Sequence, residues 1–176
     1  MITKSQHTIK RWKRHLDIRS RNVLAAIIAI SCSLGPSANQ AAPFVLSIDG
    51  QEATDTATGL IWRRCVEGMT WNGSTCSKAA NFYTHEQALQ RAATEASLSQ
   101  TAWRLPNVKE LETLLVESPQ NASVVDSTVF PNMPTDIFWT STPYAIDGNG
   151  VWFVDFSLGV VAAALRSNIN YVRLVR

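Results

Sequence analysis

The chain has 176 residues, with 16 Lys and Arg against 14 Asp and Glu, and a formal net charge of +2. Seven of the basic residues and only one acidic residue lie in residues 1–42, so residues 43–176 carry nine basic and thirteen acidic side chains, a net charge of −4. This negative charge argues against binding of nucleic acid or another polyanion through bulk charge. The 134 residues that follow the basic segment are enough for one domain with a core.

The N-terminal segment is typical of a signal peptide. Its basic residues end at Arg21, and an uncharged apolar run over 23–34 follows, which is too short to span a bilayer. Gly35-Pro36 breaks a helix, and small residues come next. We therefore predict cleavage after Ala41 or Ala42, although no perfect small-x-small site is present.

Two other interpretations of this segment stay open: an uncleaved N-terminal anchor, and lipid attachment at Cys32 within a degenerate lipobox. The prediction is a signal peptide over 1–42 and a single domain over 43–176. An exported protein in the periplasm, at the cell surface or outside the cell is expected, with no membrane span after cleavage.

Cleavage leaves one pair of cysteines, Cys65 and Cys76. Export and an even count predict a disulfide, and Gly68 and Asn72-Gly73 between them can reverse the chain direction. The rival interpretation is a metal site. Because two thiols and the lone histidine of this part, His85, do not make a zinc ligand set, we expect neither a metal nor a cofactor.

In the first half, 44–48 alternates like a strand, Asp49-Gly50 predicts a turn, 55–59 a loop and 60–62 a short buried strand. Thr84 and Gln87 have the spacing of a capping box, so a helix is expected from Thr84 to about Ala96. The side of this helix predicted to be buried consists of Ala88, Leu89, Ala92, Ala93 and Ala96.

The stretch 103–116 predicts a second helix. Pro106 disfavours helix at the residue before it, Asn107 is an N-cap, and Glu110 completes a capping box and is also a possible partner for Arg104. Val108, Leu111, Leu114 and Leu115 recur at helical spacing, and Ser118-Pro119 is expected to end the helix.

The last third is rich in strands. Val125, Val129 and Phe130 are expected to enter the core, and strands are predicted over 137–142, 151–156, 160–165 and 171–175. Turn-sized links between these strands favour antiparallel pairing. The whole pattern predicts an α+β fold in which two helices pack on a small, twisted antiparallel sheet, with one short disulfide-closed hairpin.

No catalytic set is visible. His85 is the second residue of a helix start and is expected to be exposed to solvent, without a nucleophile or an orienting partner. Glu110 and Glu112 are two residues apart, on different helix faces, and Asp126 and Asp155 are predicted to anchor turns. We therefore predict that the protein is not an enzyme.

The best candidates for ligand binding lie in two polar loops. Aromatic, amide and charged side chains on loops held by a sheet are typical of recognition surfaces. The candidates are Ser141, Tyr144, Asp147, Asn149 and Trp152 in the first loop and strand, and Arg166, Asn168 and Asn170 in the second. Trp139 and Trp152 lie within strands, so a place in the core is the competing interpretation for both.

Several blocks, in this order, resemble the bacterial Lcl C-terminal domain family. They are Asp55–Trp62, Cys65 with Cys76, Ala102–Leu111, Val129–Asn132, Phe138–Tyr144, Val151–Phe156 and Tyr171–Arg176; the signature side chains are Trp62, Trp103, Arg104, Pro106, Asn107, Glu110, Trp139 and Asp155. The resemblance implies a C-type-lectin-like fold, in which two helices flank a sheet and the terminal strands lie close together.

The block from Trp103 to Pro106 is also similar to the Arg-Leu-Pro stretch of the sulfatase-modifying (formylglycine-generating) enzymes. Those enzymes depend on a reactive cysteine pair, whereas Cys65 and Cys76 lie in a short hairpin, so the catalytic function is not carried over. The triplets that bind calcium and sugar in true C-type lectins are also missing from the sequence.

The sequence thus predicts a secreted, non-catalytic recognition domain that binds a protein or a glycan at the cell surface or in the periplasm. The alternative is a structural or assembly module of an envelope or fimbrial complex. A sulfatase-modifying-type enzyme is a third, weaker interpretation.

Overall fold

The computed structural model describes residues 44–116 and 125–176. The predicted signal peptide, Cys32 and the predicted helix end at Ser118-Pro119 lie outside them. Within them the elements are β1 (Phe44–Leu46), β2 (Glu52–Asp55), β3 (Ile61–Arg63), β4 (Thr70–Trp71), β5 (Cys76–Ser77), α1 (His85–Ser99), α2 (Val108–Glu112), β6 (Ile137–Pro143), β7 (Gly150–Asp155) and β8 (Val160–Leu165). Two helices with small antiparallel sheets confirm the α+β prediction.

The strands form separate small sheets rather than the one sheet expected. In the described residues the orders are β1-β2-β3, β4-β5 and β6-β7-β8, all antiparallel. Strand β2 was not predicted, although its alternating burial fits a strand with one face inside. The turn before it is confirmed: Gly50 has a φ of 71° and its amide donates to the Ser47 carbonyl at 2.9 Å.

The C-terminal segment connects the first and last sheets. It does not form the regular strand predicted over 171–175, because successive residues bond to different neighbours. Val175 bridges to both Trp62 and Arg104, whereas Tyr171 pairs in parallel with Phe138. Arg176 exchanges two backbone hydrogen bonds of 2.9 Å with Ile61. The end of the chain therefore lies beside β3, near the start of the domain.

The predicted disulfide is confirmed. Cys65 and Cys76 are bonded, with their Cα atoms 5.4 Å apart, and the bond closes the β4-β5 hairpin. Within the turn, the Asn72 side-chain oxygen accepts from the Ser74 and Thr75 amides at 3.0 and 2.9 Å. Asn132 donates to the Cys76 carbonyl at 2.9 Å, which attaches the hairpin to the segment before β6.

Strand β6 separates two apolar clusters. Because side chains alternate across a strand, Phe138 packs into one cluster with α2, β3 and the segment over 125–133, while Trp139 packs into the other with α1. Both side chains are fully buried. The predicted core positions Val125, Val129 and Phe130 all belong to the first cluster, which confirms them.

Helix α1 begins as predicted. Thr84 is the N-cap and its capping box with Gln87 is complete, and the helix continues past Ala96 to Ser99. The buried side is narrower than expected: Ala88 and Ala92 are buried and Ala96 is half-buried, whereas Leu89 is 43% exposed and Ala93 is exposed.

Helix α2 is shorter than predicted. Asn107 caps it and the capping box with Glu110 is complete, but the helix ends at Glu112. The amides of Thr113 and Leu114 bond three residues back, to Glu110 and Leu111, and such tighter turns replace the expected continuation. Of the predicted face, Leu111 and Leu114 are buried, while Val108 and Leu115 are half-buried.

Candidate recognition cleft

A cleft of about 490 Å³ lies between the loop that joins β6 to β7 and the segment that follows β8. Its apolar lining includes Ile137, Phe153 and the end of β8 from Ala163 to Leu165. Its polar lining consists of four of the eight predicted binding residues, Tyr144, Asp147, Asn168 and Asn170. We name it the recognition cleft. An apolar surface with a few polar groups is the usual composition of a ligand site.

The β6-β7 loop is held in shape by its own backbone. The Tyr144 amide donates to the Gly150 carbonyl at 3.0 Å, and the Gly150 amide donates to the Asp147 carbonyl at 2.8 Å. A Cβ atom at Gly150 would lie 3.0 Å from the Tyr144 side chain, so glycine permits this close approach. The Tyr144 ring packs edge-on against Trp152, with centroids 5.2 Å apart. These contacts fix the aromatic wall of the cleft.

Asn170 is the most constrained polar residue in this cleft. Its backbone exchanges two 3.0 Å hydrogen bonds with Tyr83, and the residue is only 8% exposed. Its side-chain nitrogen is buried and has no hydrogen-bond partner among the described residues. An unsatisfied buried donor costs about 1–3 kcal/mol.

The other four predicted residues, including Arg166, do not line this cleft. Trp152 is half-buried and supports Tyr144, and Asn149 is exposed beside the cleft with its amide bonded to the Asp147 carboxylate at 2.9 Å. Ser141 bonds to the Pro106 carbonyl through its amide and its hydroxyl, and lines a separate cleft next to Trp103. Only part of the predicted set therefore meets at one site.

The prediction that His85 is exposed was wrong. The residue is 3% exposed, and its ring lies edge-on against Trp139. Its Nε2 is 3.0 Å from the Thr140 carbonyl and its Nδ1 is 2.9 Å from a guanidinium nitrogen of Arg166. A carbonyl only accepts and a guanidinium only donates, so the proton is on Nε2. Burial lowers the pKa of His85. The hydrogen bond with the Thr140 carbonyl opposes this shift, and the charge of Arg166 adds to it.

Arg166, one of the predicted ligand residues, bonds to the loop that forms one wall of the cleft. Its amide donates to the Asn149 carbonyl at 2.9 Å, its Nε lies 3.4 Å from the Gly148 carbonyl, and its own carbonyl accepts from the His85 amide at 3.0 Å. It thereby connects the start of α1 to the β6-β7 loop. Nothing in the sequence pattern relates two residues that are 81 positions apart, so sequence reasoning missed this pair.

Four of the family-signature residues make structural contacts. The guanidinium of Arg104 forms two hydrogen bonds with the Glu110 carboxylate, at 2.7 and 2.9 Å, and the same carboxylate accepts from the Asn107 amide at 2.7 Å. The bond from Arg104 lowers the pKa of Glu110. The predicted turn anchors are confirmed, since Asp126 accepts from the Thr128 amide and Asp155 from the Ser157 amide, both at 2.8 Å.

The family model for the Lcl C-terminal domain matches residues 51–176. The chain belongs to the Lcl C-terminal domain family. A search of curated proteins finds no match. Within the described ranges, this Lcl C-terminal domain contains no helix long and apolar enough to cross a membrane, and no group of three potential metal-binding side chains.

A second cleft of the Lcl C-terminal domain, of about 510 Å³, lies between the disulfide hairpin and α1. Most of the charged side chains around it are paired. Glu67, which is 4% exposed, accepts from Arg91 at 2.6 Å; Arg91 also bonds Glu95 at 2.8 Å, and Arg63 pairs with Glu95. Arg63 also covers the Trp103 ring at 4.9 Å. This network attaches the hairpin to α1 and leaves little unpaired charge for a ligand.

Proposed function

We propose that this chain is a secreted, non-catalytic recognition domain of C-type-lectin-like fold, which binds a protein or a glycan in the periplasm or at the cell surface. The observation that supports it most is the recognition cleft, where an aromatic ring, a carboxylate and two amides meet over an apolar surface. Aromatic and amide groups are well suited to the mixed apolar and hydroxyl surface of a sugar or the side chains of a protein.

Export and a lack of catalysis are supported less directly. The Cys65–Cys76 disulfide is compatible with an oxidising compartment. The same bond argues against a sulfatase-modifying-type enzyme, because it uses both cysteines in closing a hairpin. Both ring nitrogens of His85 are engaged in structural hydrogen bonds.

A glycan array combined with a pull-down of envelope proteins tests the proposal. Once a ligand is found, Asp147→Asn, which removes a charge, and Asn168→Ala, which removes a side-chain amide, are each expected to weaken binding at least about tenfold. Asp147→Asn keeps the side-chain oxygen that accepts from Asn149. Lys109→Ala is the control, since this side chain is 82% exposed and lines none of the clefts described above. Equal loss in the control, or turnover of a glycan or sulfatase-type substrate that one substitution abolishes, would overturn the proposal.

The alternative role, a module of an envelope or fimbrial assembly, is favoured by one specific feature. Strand β8 is free of charged residues and lies at the edge of its sheet. This role predicts stable co-purification with one protein and no signal on the glycan array.

A further inference from the structure

Strand β8 has one side without a partner. In the described residues it pairs only with β7, and no isolated bridge involves it. Proteins usually protect such an edge with a lysine, a proline or a bulge. The strand Val160–Leu165 has none of these, its pairing with β7 is continuous, and its end residues Val160 and Leu165 are 44% and 51% exposed.

The hydrogen-bond pattern identifies the backbone groups on the free side. The Arg166 amide donates to Asn149 across the β7-β8 ladder, and in an antiparallel pair the direction alternates with each residue. Residues 160, 162 and 164 therefore point their backbone groups towards β7. Val161, Ala163 and Leu165 point theirs outwards, where the Leu165 carbonyl also accepts from the Asn168 amide at 3.0 Å. Only another extended strand matches such a row of donors and acceptors.

We propose that this chain forms a two-fold dimer in which β8 pairs antiparallel with β8 of a second copy, centred on Ala163. A two-fold contact must be self-complementary. Centring on Ala163 places Val161 opposite Leu165 and Ala162 opposite Ala164, so the pairs from Val161 to Leu165 are apolar and most are small. Beyond them, Val160 lies opposite Arg166 of the second copy. Because the strand carries no charge, a second copy meets no like charge along it, even though residues 43–176 have a net charge of −4. The dimer does not depend on the proposed recognition function.

Sedimentation equilibrium of the purified protein over a range of concentrations tests the dimer. Ala163→Pro removes an outward amide from each copy while leaving the bonds to β7, and proline is tolerated on the outer side of an edge strand. It is expected to raise the dissociation constant roughly tenfold or more. Ala163→Thr keeps the amide and is expected to change it by less than about threefold. A monomer at every concentration, or equal dimerisation of the proline variant, would overturn the proposal.

If Ala163→Pro does not fold, a cross-linking experiment tests the same β8-β8 dimer. In the proposed register the two Ala163 Cα atoms lie about 5.5 Å apart, within disulfide range. Ala163→Cys is therefore expected to give a reducible dimer under mild oxidation. Ala57→Cys, at an exposed position in the turn between β2 and β3, is the control and should stay monomeric. Failure of Ala163→Cys to cross-link beyond this control would count against the pairing.

Discussion

A guanidinium nitrogen of Arg166 lies 2.9 Å from Nδ1 of His85, so an arginine after the last strand holds a buried histidine at the start of α1. The pair connects α1 to the loop that forms one wall of the recognition cleft. Protonation of His85 would replace this hydrogen bond by repulsion between two cations. The stability of the domain is therefore linked to the protonation of one residue.

We expect the free energy of unfolding to fall as the pH drops below the ordinary histidine pKa of 6.5. The native pKa is lowered, so between the two values the unfolded chain binds more protons than the folded one, and stability rises with pH. Urea unfolding at a series of pH values from about 7.5 to about 5.5 measures the slope.

His85→Gln is the matched variant, because it keeps a donor and an acceptor but does not titrate. Its slope over this range should be clearly smaller than that of the unchanged protein. Glu110 and Asp49, whose pKa values are lowered, titrate at more acidic pH and therefore do not contribute to the slope over this range. Equal slopes for the two proteins would contradict the prediction.

The disulfide is expected to contribute about 2–3 kcal/mol to stability, since it closes a short loop in the unfolded chain. Replacing both Cys65 and Cys76 by serine should lower the free energy of unfolding by this amount. Intact mass under thiol-alkylating conditions should show no free thiol in residues 43–176 before reduction. Labelling of Cys65 in the unreduced protein would be inconsistent with the bond.

Two substitutions at Glu110 separate its charge from its capping role. Glu110→Gln keeps the capping geometry and loses the ion pair with Arg104, whose side chain is 46% exposed, so a loss of only about 0.5 kcal/mol is expected. Glu110→Ala also removes the acceptor for the Asn107 amide, which adds about 1 kcal/mol. Thermal or urea unfolding measures both, and equal losses would show that capping contributes nothing.

Arg173 is completely buried and is expected to be the most sensitive charged position. It donates to the carbonyls of Arg63 and Arg64, and its guanidinium lies 4.4 Å from the Phe130 ring centroid. Burial, with a smaller effect of Arg64, lowers its pKa to about 9, so it stays a cation at neutral pH.

Arg173→Ala leaves a cavity and two buried carbonyls without a donor, so we expect a loss of at least about 3 kcal/mol in urea unfolding. The exposed Lys109→Ala should change stability by less than about 0.5 kcal/mol. A loss below about 1 kcal/mol for Arg173→Ala would contradict this account of the core.

Local patterns predicted the features that depend on neighbours in sequence. The capping boxes at Thr84 and Asn107 use residues three positions apart, and the hairpin between Cys65 and Cys76 closes over a short loop. The runs between turn-sized links that predicted the strands over 137–165 are local patterns too. The blocks that resemble the Lcl C-terminal domain family were likewise visible in the sequence, and the family is confirmed.

The burial of polar residues and the composition of the cleft depend on tertiary contacts, which local sequence patterns do not contain. His85 and Arg173 are polar residues that the fold buries, because Arg166, Thr140 and the carbonyls of β3 supply partners from distant positions. The same holds for the end of the chain, where Tyr171 bonds to β6, Val175 to Arg104 and Arg176 to β3. Of the eight predicted binding residues, four line one cleft, since its walls come from two loops that only the packing of β6, β7 and β8 brings together. The family, the caps and the disulfide therefore follow from local patterns. Which polar side chains pair inside the domain and which face a cleft depends on contacts between residues far apart in the chain, and no local pattern contains them.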